Sequence, residues 1–148
     1  MIEPGAKAPE FSLPDHTGHV VSLSDFKGRR LLLAFYPLDF SPVCEDQFTA
    51  YRDITPQLND AGVSLVAISV DSAFAHKAFR DHLGVETAFL ADFEPKGEVA
   101  RAYDAYLEDA GHSNRSLVLI DGEGTVEWVY ETDTPVDIPP TSAILEAI

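Results

Sequence analysis

The sequence of 148 residues predicts an α/β fold in which helices flank one central mixed β-sheet. Two continuous apolar runs, RLLLAFY at 30–36 and VSLVAISV at 63–70, are typical of strands that are buried on both faces. A segment of helical length separates them, so the unit is β-α-β and its two strands should be parallel. A late pair of strands joined by a tight turn adds an antiparallel part, which makes the sheet mixed.

The first element along the chain is a predicted N-terminal β-hairpin in FSLPDHTGHVVSL, residues 11–23. Two short apolar stretches flank the residues DHTG at 15–18, all of which favour turns. The first core strand follows, with Gly28 before it and Pro37 after it. Glycine and proline commonly mark the ends of regular secondary structure.

Two helices are predicted after the second core strand. SAFAHKAFRDHLG, residues 72–84, has a start signal in Asp71-Ser72 and a stop at Gly84. GEVARAYDAYLEDAG, residues 97–111, has the apolar spacing of an amphipathic helix. Its predicted apolar face consists of Val99, Ala102, Tyr103, Tyr106 and Leu107.

The last predicted elements are a buried strand, a turn at Asp121-Gly122 and a second strand, all within SLVLIDGEGTVEWVY at 116–130. Val126, Trp128 and Tyr130 alternate along the second strand and should share one face. A proline-rich link and a short C-terminal helix follow. The order β-α-β, helices, then β-β-α is the thioredoxin-like arrangement, and the length predicts a single domain over residues 1–148.

Charge and composition exclude several functions. Asp and Glu number 25 against 10 Lys and Arg, a formal net charge of −15, so we expect neither nucleic acid nor an anionic membrane surface as a partner. The apolar runs are too short to span a bilayer, and the start MIEPGAKAPE lacks the apolar core of a signal peptide. We therefore expect a cytoplasmic protein.

The excess of acidic residues has two possible explanations. It gives either a solvated surface that prevents aggregation or an adaptation to a salt-rich cytoplasm.

The only cysteine, Cys44, lies in FYPLDFSPVCEDQF at 35–48, so no internal disulfide can form. Pro37 ends the first core strand, which places Cys44 at the carboxyl end of the sheet, where open α/β folds hold their sites. Ser41 and Pro42 form a good helix start. Cys44 then falls in the first turn, where free N–H groups and the helix dipole favour a thiolate. This position favours a reactive cysteine, with inert packing as the alternative.

These residues resemble a known family. The pattern Pro37-x-x-x-Ser41-x-x-Cys44 is similar to the Pro-x-x-x-Thr/Ser-x-x-Cys motif of the peroxiredoxins. The segment SVDSAFAHKAF at 69–79 resembles the second β-α step of that family, and NRSLVLIDGEGTVEW resembles its late strand, which would make Arg115 the catalytic arginine. The resemblance covers nearly the whole chain.

The resemblance implies a peroxidase in which the Cys44 thiolate attacks one peroxide oxygen, forms a sulfenic acid and releases water or alcohol. An ordinary thiol is about 3% ionised at pH 7, so full ionisation gains at most about thirtyfold. Most of the acceleration must come from polarising the O–O bond. By resemblance, Arg115 serves that role, and the Ser41 hydroxyl with the amides of Val43 and Cys44 completes the cradle. Pro37 would shield the thiolate from water.

Each of these residues also has a structural interpretation: Ser41 as a helix cap, Pro37 as a strand end and Arg115 as a surface charge. Gln47 stands where many relatives carry a glutamate, and its amide oxygen can accept from the arginine without charge. We therefore assign Gln47, with Val43, to the peroxide-binding site.

The remaining expectations concern subtype and partners. Thr49 occupies the place where one branch of the family keeps a second cysteine, and this chain resembles the short one-cysteine bacterioferritin-comigratory or AhpE-like group. The resemblance implies an external thiol reductant (a thioredoxin-like protein, a glutaredoxin-like protein or a low-molecular-weight thiol) and a homodimer.

The histidines are scattered along the chain, and neither a metal nor a cofactor is expected. The alternative function is a thioredoxin-like redox sensor or a non-catalytic interaction module.

The charge generates a first prediction. If the acidic surface is an adaptation to a salt-rich cytoplasm, self-repulsion destabilises the fold at low ionic strength and added salt screens it. The melting temperature, measured by circular dichroism from low to molar KCl, should then rise substantially. A flat profile would leave only the role in solubility.

Overall fold

A computed structural model describes residues 1–148. The strands are β1 (Ser12–Pro14), β2 (Val20–Ser22), β3 (Arg30–Phe35), β4 (Val63–Ser69), β5 (Ala88–Ala91), β6 (Tyr106–Leu107), β7 (His112–Ser113), β8 (Ser116–Ile120) and β9 (Val126–Glu131). The α-helices are α1 (Pro42–Asp53), α2 (Thr55–Asp60), α3 (Ala73–Leu83), α4 (Glu98–Ala102) and α5 (Thr141–Ala147). No helix is long and apolar enough to cross a bilayer.

The central sheet has five strands in the order β5-β4-β3-β8-β9. Strand β3 pairs in parallel with β4 and antiparallel with β8, and β8 pairs antiparallel with β9. The predicted mixed sheet is therefore confirmed, as is the N-terminal hairpin of β1 and β2. Because β3 lies in the middle, its carboxyl end is flanked by strands of both directions.

Side chains alternate across β3 and divide the core in two. Leu31, Leu33 and Phe35 pack with the N-terminal hairpin and α4, and we call this layer the hairpin-side core. Leu32 and Ala34 pack with α1, α3 and α5, together with Cys44, and we call this layer the cysteine-side core. The thiol therefore lies beneath the helical layer.

The caps of α3 agree with the prediction. The Ser72 side chain accepts a hydrogen bond from the Ala75 amide, and Gly84 ends the helix in the left-handed conformation at φ 65°. The segment between β3 and β4, by contrast, forms two helices instead of one, and the second begins with Pro56 in its first turn. The short edge strand β5 was not predicted.

The predicted helix over 97–111 is wrong beyond Ala102. Asp104 has a positive φ of 58°, which a continuing helix does not allow, and β6 and β7 then form a hairpin. The Tyr106 ring packs on Gly97, where an added Cβ would lie 2.5 Å from the ring carbon Cε1. Tertiary packing of Tyr106 therefore overrides the helical periodicity of this segment.

The predicted common face of Val126, Trp128 and Tyr130 is also wrong. Leu119 pairs with Trp128 but Ile120 pairs with Val126, so one residue of β9 is extra and forms a bulge. Val126 consequently lies in the hairpin-side core, whereas Trp128 and Tyr130 pack against the cysteine-side core. A one-residue shift exchanges the two faces of a strand.

Candidate active site

The site lies where β3 passes into α1. Pro37 follows the strand and is buried, Ser41 is the N-cap of α1, and Pro42 is the first helical residue. The Ser41 hydroxyl accepts a hydrogen bond from the Cys44 amide at 3.4 Å. The predicted helix start is confirmed, and it puts the thiol in the first turn.

Arg115 reaches the thiol from the start of β8 and is the only buried arginine, with 1% of its surface exposed. Its Nη1 donates to the Cys44 sulfur at 2.9 Å and to the Gln47 oxygen Oε1 at 2.7 Å. Its Nε donates to the carbonyl oxygen of Pro135 at 2.6 Å. Its Nη2 makes no hydrogen bond within the chain.

The three groups that Arg115 contacts differ in whether they can carry a charge. A buried cation requires a negative partner, and none of the three groups that Arg115 contacts is a carboxylate. The sulfur is the only one of them that can ionise. A thiolate at Cys44 would therefore be the only charged hydrogen-bond partner of this guanidinium.

Several hydrogen-bond donors around the sulfur are free. The Cys44 amide is occupied by Ser41, but the Val43 amide makes no backbone hydrogen bond. The Ser41 hydroxyl proton and the Nη2 protons of Arg115 are also without a partner in the chain. Sequence reasoning assigned the amides of both Val43 and Cys44 to the cradle, and the structure leaves only that of Val43 unoccupied.

The turn between Pro37 and Ser41 is held by a buried polar network that sequence reasoning missed. The Asp39 carboxylate contacts His76 Nδ1 at 2.8 Å and accepts from the Tyr36 hydroxyl at 2.5 Å. His76 Nε2 lies 3.0 Å from the Leu90 carbonyl, which can only accept, so Nε2 carries a proton. The Asp39 amide donates to Asp71 at 2.9 Å.

The network lies in the interior of the protein. The side chains of His76 and Asp39 are 0% and 1% exposed. Burial raises the pKa of Asp71, although the short hydrogen bond from the Ser69 hydroxyl opposes that shift. Desolvation likewise raises the pKa of Tyr36 well above its ordinary value. The network therefore anchors the turn to β4, α3 and β5.

Comparison with known proteins places the chain in a family. Residues 4–129 match the AhpC/TSA family. Alkyl hydroperoxide reductase E of Mycobacterium tuberculosis is 33% identical over 86% of this chain and 84% of that protein. A putative peroxiredoxin, bcp, of Coxiella burnetii is 35% identical over 87% of this chain and 88% of its own length. The crystal structure of reduced Plasmodium vivax 2-Cys peroxiredoxin superposes with a TM-score of 0.87 at 27% identity, over 98% of this chain and 79% of that one.

A lone thiol at a helix N-terminus, paired with a buried guanidinium on a thioredoxin-like sheet, defines a thiol-dependent redox enzyme. The chain belongs to the AhpC/TSA family, the peroxiredoxins. The predicted family, its thioredoxin-like fold and the enzyme class, a thiol peroxidase, are confirmed.

The anchoring network generates a prediction about stability. His76→Leu removes the histidine partner of the buried Asp39 carboxylate, which then keeps only the Tyr36 hydroxyl, and should lower the free energy of unfolding by about 3–5 kcal/mol in urea denaturation. The neighbouring residue supplies a control, because Lys77→Ala breaks only an exposed ion pair with Asp81 and should cost about 0.5 kcal/mol. Equal losses in the two variants would contradict the anchoring role.

Proposed function

We propose that this protein reduces hydrogen peroxide or organic hydroperoxides by a one-cysteine mechanism at Cys44, in the cytoplasm, with an external thiol as reductant. The observation that carries the proposal is the buried guanidinium of Arg115, which contacts the sulfur with Nη1 and keeps Nη2 free. A cytoplasmic location fits a chain whose one cysteine must be kept reduced.

The reaction begins when the thiolate attacks one oxygen of the peroxide. An S–O bond forms and the O–O bond breaks, so the sulfur is oxidised by two electrons to a sulfenic acid and the peroxide is reduced. The departing hydroxide or alkoxide takes up a proton and leaves as water or alcohol. Charge moves from the sulfur to the departing oxygen, so donors near both atoms lower the barrier.

The free donors of the site suit that charge movement. Nη2 of Arg115 donates to the peroxide oxygens while Nη1 holds the sulfur, so one guanidinium serves both ends of the reaction. The Ser41 hydroxyl and the Val43 amide complete the cradle. Gln47 holds the guanidinium in place, and the buried Pro37 limits access of water to the sulfur.

Acidic residues next to the thiol do not oppose this chemistry. Asp46 is exposed, and the Glu45 carboxylate contacts His82 on α3 at 2.5 Å instead of facing the sulfur. The negative charge in this turn is thereby directed away from Cys44, which preserves the effect of Arg115 on the thiolate.

Regeneration needs a second protein or a small thiol. A sulfenic acid condenses with a thiol to form a disulfide. Cys44 is the only cysteine of this chain, so the resolving thiol must come from another molecule. The electrons therefore come from a thioredoxin-like protein, a glutaredoxin-like protein or a low-molecular-weight thiol, and no cofactor takes part.

We also propose a homodimer, which the exposure of Phe40 and of Phe74, at 89%, supports.

Variants of the cradle test the assigned roles. Arg115→Met should slow peroxide reduction by about a thousandfold, because it removes charge from both the thiolate and the departing oxygen. Arg115→Lys should recover only part of the rate, since it lacks the planar fork. Ser41→Thr keeps the hydroxyl and should be tolerated, whereas Ser41→Ala should not. Stopped-flow kinetics measures the rates, circular dichroism checks folding, and a near-normal rate for Arg115→Met would refute its role.

The one-cysteine mechanism is tested by intact-protein mass spectrometry. One equivalent of peroxide should consume the only thiol and give a sulfenic acid that dimedone traps. A second equivalent without reductant should add one more oxygen irreversibly, and Cys44→Ser should abolish both reactions.

The outcomes separate the candidate functions. Formation of the sulfenic acid with slow turnover in the presence of each class of reductant would indicate a redox sensor. Absence of any oxygen adduct after one equivalent would show that Cys44 is not peroxidatic and would favour an interaction module.

A further inference from the structure

A buried tyrosine continues the hydrogen-bond chain that starts at the thiol. Tyr51 lies one turn after Gln47 on α1, and both side chains are fully buried. The Gln47 amide nitrogen Nε2 lies 3.2 Å from the Tyr51 hydroxyl, which lies 2.9 Å from the carbonyl oxygen of Pro139. The chain therefore runs from Cys44 through Arg115, Gln47 and Tyr51 to the segment before α5.

The direction of each hydrogen bond follows from the chemistry of the last acceptor. A carbonyl oxygen only accepts, so the Tyr51 hydroxyl donates its one proton to Pro139. Burial raises the pKa of Tyr51, which keeps that proton in place. The Tyr51 oxygen can then only accept, so Gln47 presents its NH₂ group to Tyr51 and its carbonyl oxygen to Arg115.

We propose that Tyr51 is a positioning residue for the peroxidase reaction, which fixes the orientation of the Gln47 amide and thereby the guanidinium of Arg115; this inference rests on the proposed function.

The need for such a residue arises from the shape of a carboxamide. The two orientations of the Gln47 amide occupy the same space, but the inverted one would point NH₂ at the cationic Nη1 of Arg115. That orientation loses the 2.7 Å hydrogen bond and sets two donors against each other. A carboxylate has two accepting oxygens and needs no such orientation.

The difference between a carboxamide and a carboxylate at position 47 allows a double-mutant test. Tyr51→Phe should slow the reaction of the reduced enzyme with hydrogen peroxide by about tenfold in the natural Gln47 background, the effect of losing about one hydrogen bond. In the Gln47→Glu background the same substitution should slow the reaction by less than about twofold, because the coupling between the two positions is gone. Stopped-flow kinetics of the four proteins gives both ratios.

Tyr103 supplies a matched control. Its ring is fully buried in the hairpin-side core, and its hydroxyl donates to the carbonyl oxygen of Pro9 at 2.7 Å, so Tyr103→Phe removes the same kind of hydrogen bond away from the thiol. We expect it to lower the melting temperature as Tyr51→Phe does but to leave the peroxide rate unchanged. A similar rate loss in both tyrosine variants would mean that Tyr51 acts only through stability and would overturn the proposal.

The other possible results of the kinetic test distinguish failure of the positioning role from failure of the proposed function. Equal slowing by Tyr51→Phe in the natural and the Gln47→Glu backgrounds, or no slowing in either, would overturn the positioning role while leaving the peroxidase intact. A wild-type protein that does not reduce peroxide would instead overturn the proposed function. Nuclear magnetic resonance of the labelled wild-type protein tests the geometry directly: a nuclear Overhauser effect between the Gln47 Nε2 protons and the Tyr51 ring is expected, and an inverted amide would refute the inference.

Discussion

The buried positive charge of Arg115 is the constraint on which the site depends. Removing a guanidinium from water is costly, and this one, with 1% of its surface exposed, recovers part of that cost through the hydrogen bonds of Nε and Nη1. Its partners come from α1 and from the segment before α5, while Arg115 itself precedes β8. The contact between thiol and guanidinium therefore joins three parts of the chain that are distant in sequence.

The fold is predictable from sequence where the signal is local. Apolar runs locate the central strands, and residues such as Ser72 and Gly84 mark helix ends by their own side-chain or backbone chemistry. The failures arise where distant packing decides. The Tyr106 ring lies on Gly97 and the chain turns at Asp104, so a segment with helical periodicity becomes a hairpin.

The candidate active site is likewise predictable from sequence where the signal is local and not where distant contacts decide. The motif and the late arginine indicate Cys44, Ser41 and Arg115 from sequence, and the structure brings the three together with Gln47. The residues that sequence reasoning missed act across long separations. His76 contacts Asp39 from another element, and Tyr51 contacts a carbonyl 88 positions away, so no spacing in the sequence reveals either pair. Their only sequence signal is a polar group on an otherwise apolar helix face.

Nitrogen-15 nuclear magnetic resonance of the arginine side chains tests the central claim, that one buried guanidinium holds the Cys44 thiol. Arg115 is the only buried arginine, so the account predicts a single guanidinium whose N–H signals are protected from exchange with water. Those signals should shift in Cys44→Ser and stay in place in Tyr103→Phe. A spectrum without a protected guanidinium, or with one that Cys44→Ser leaves unchanged, would contradict the account.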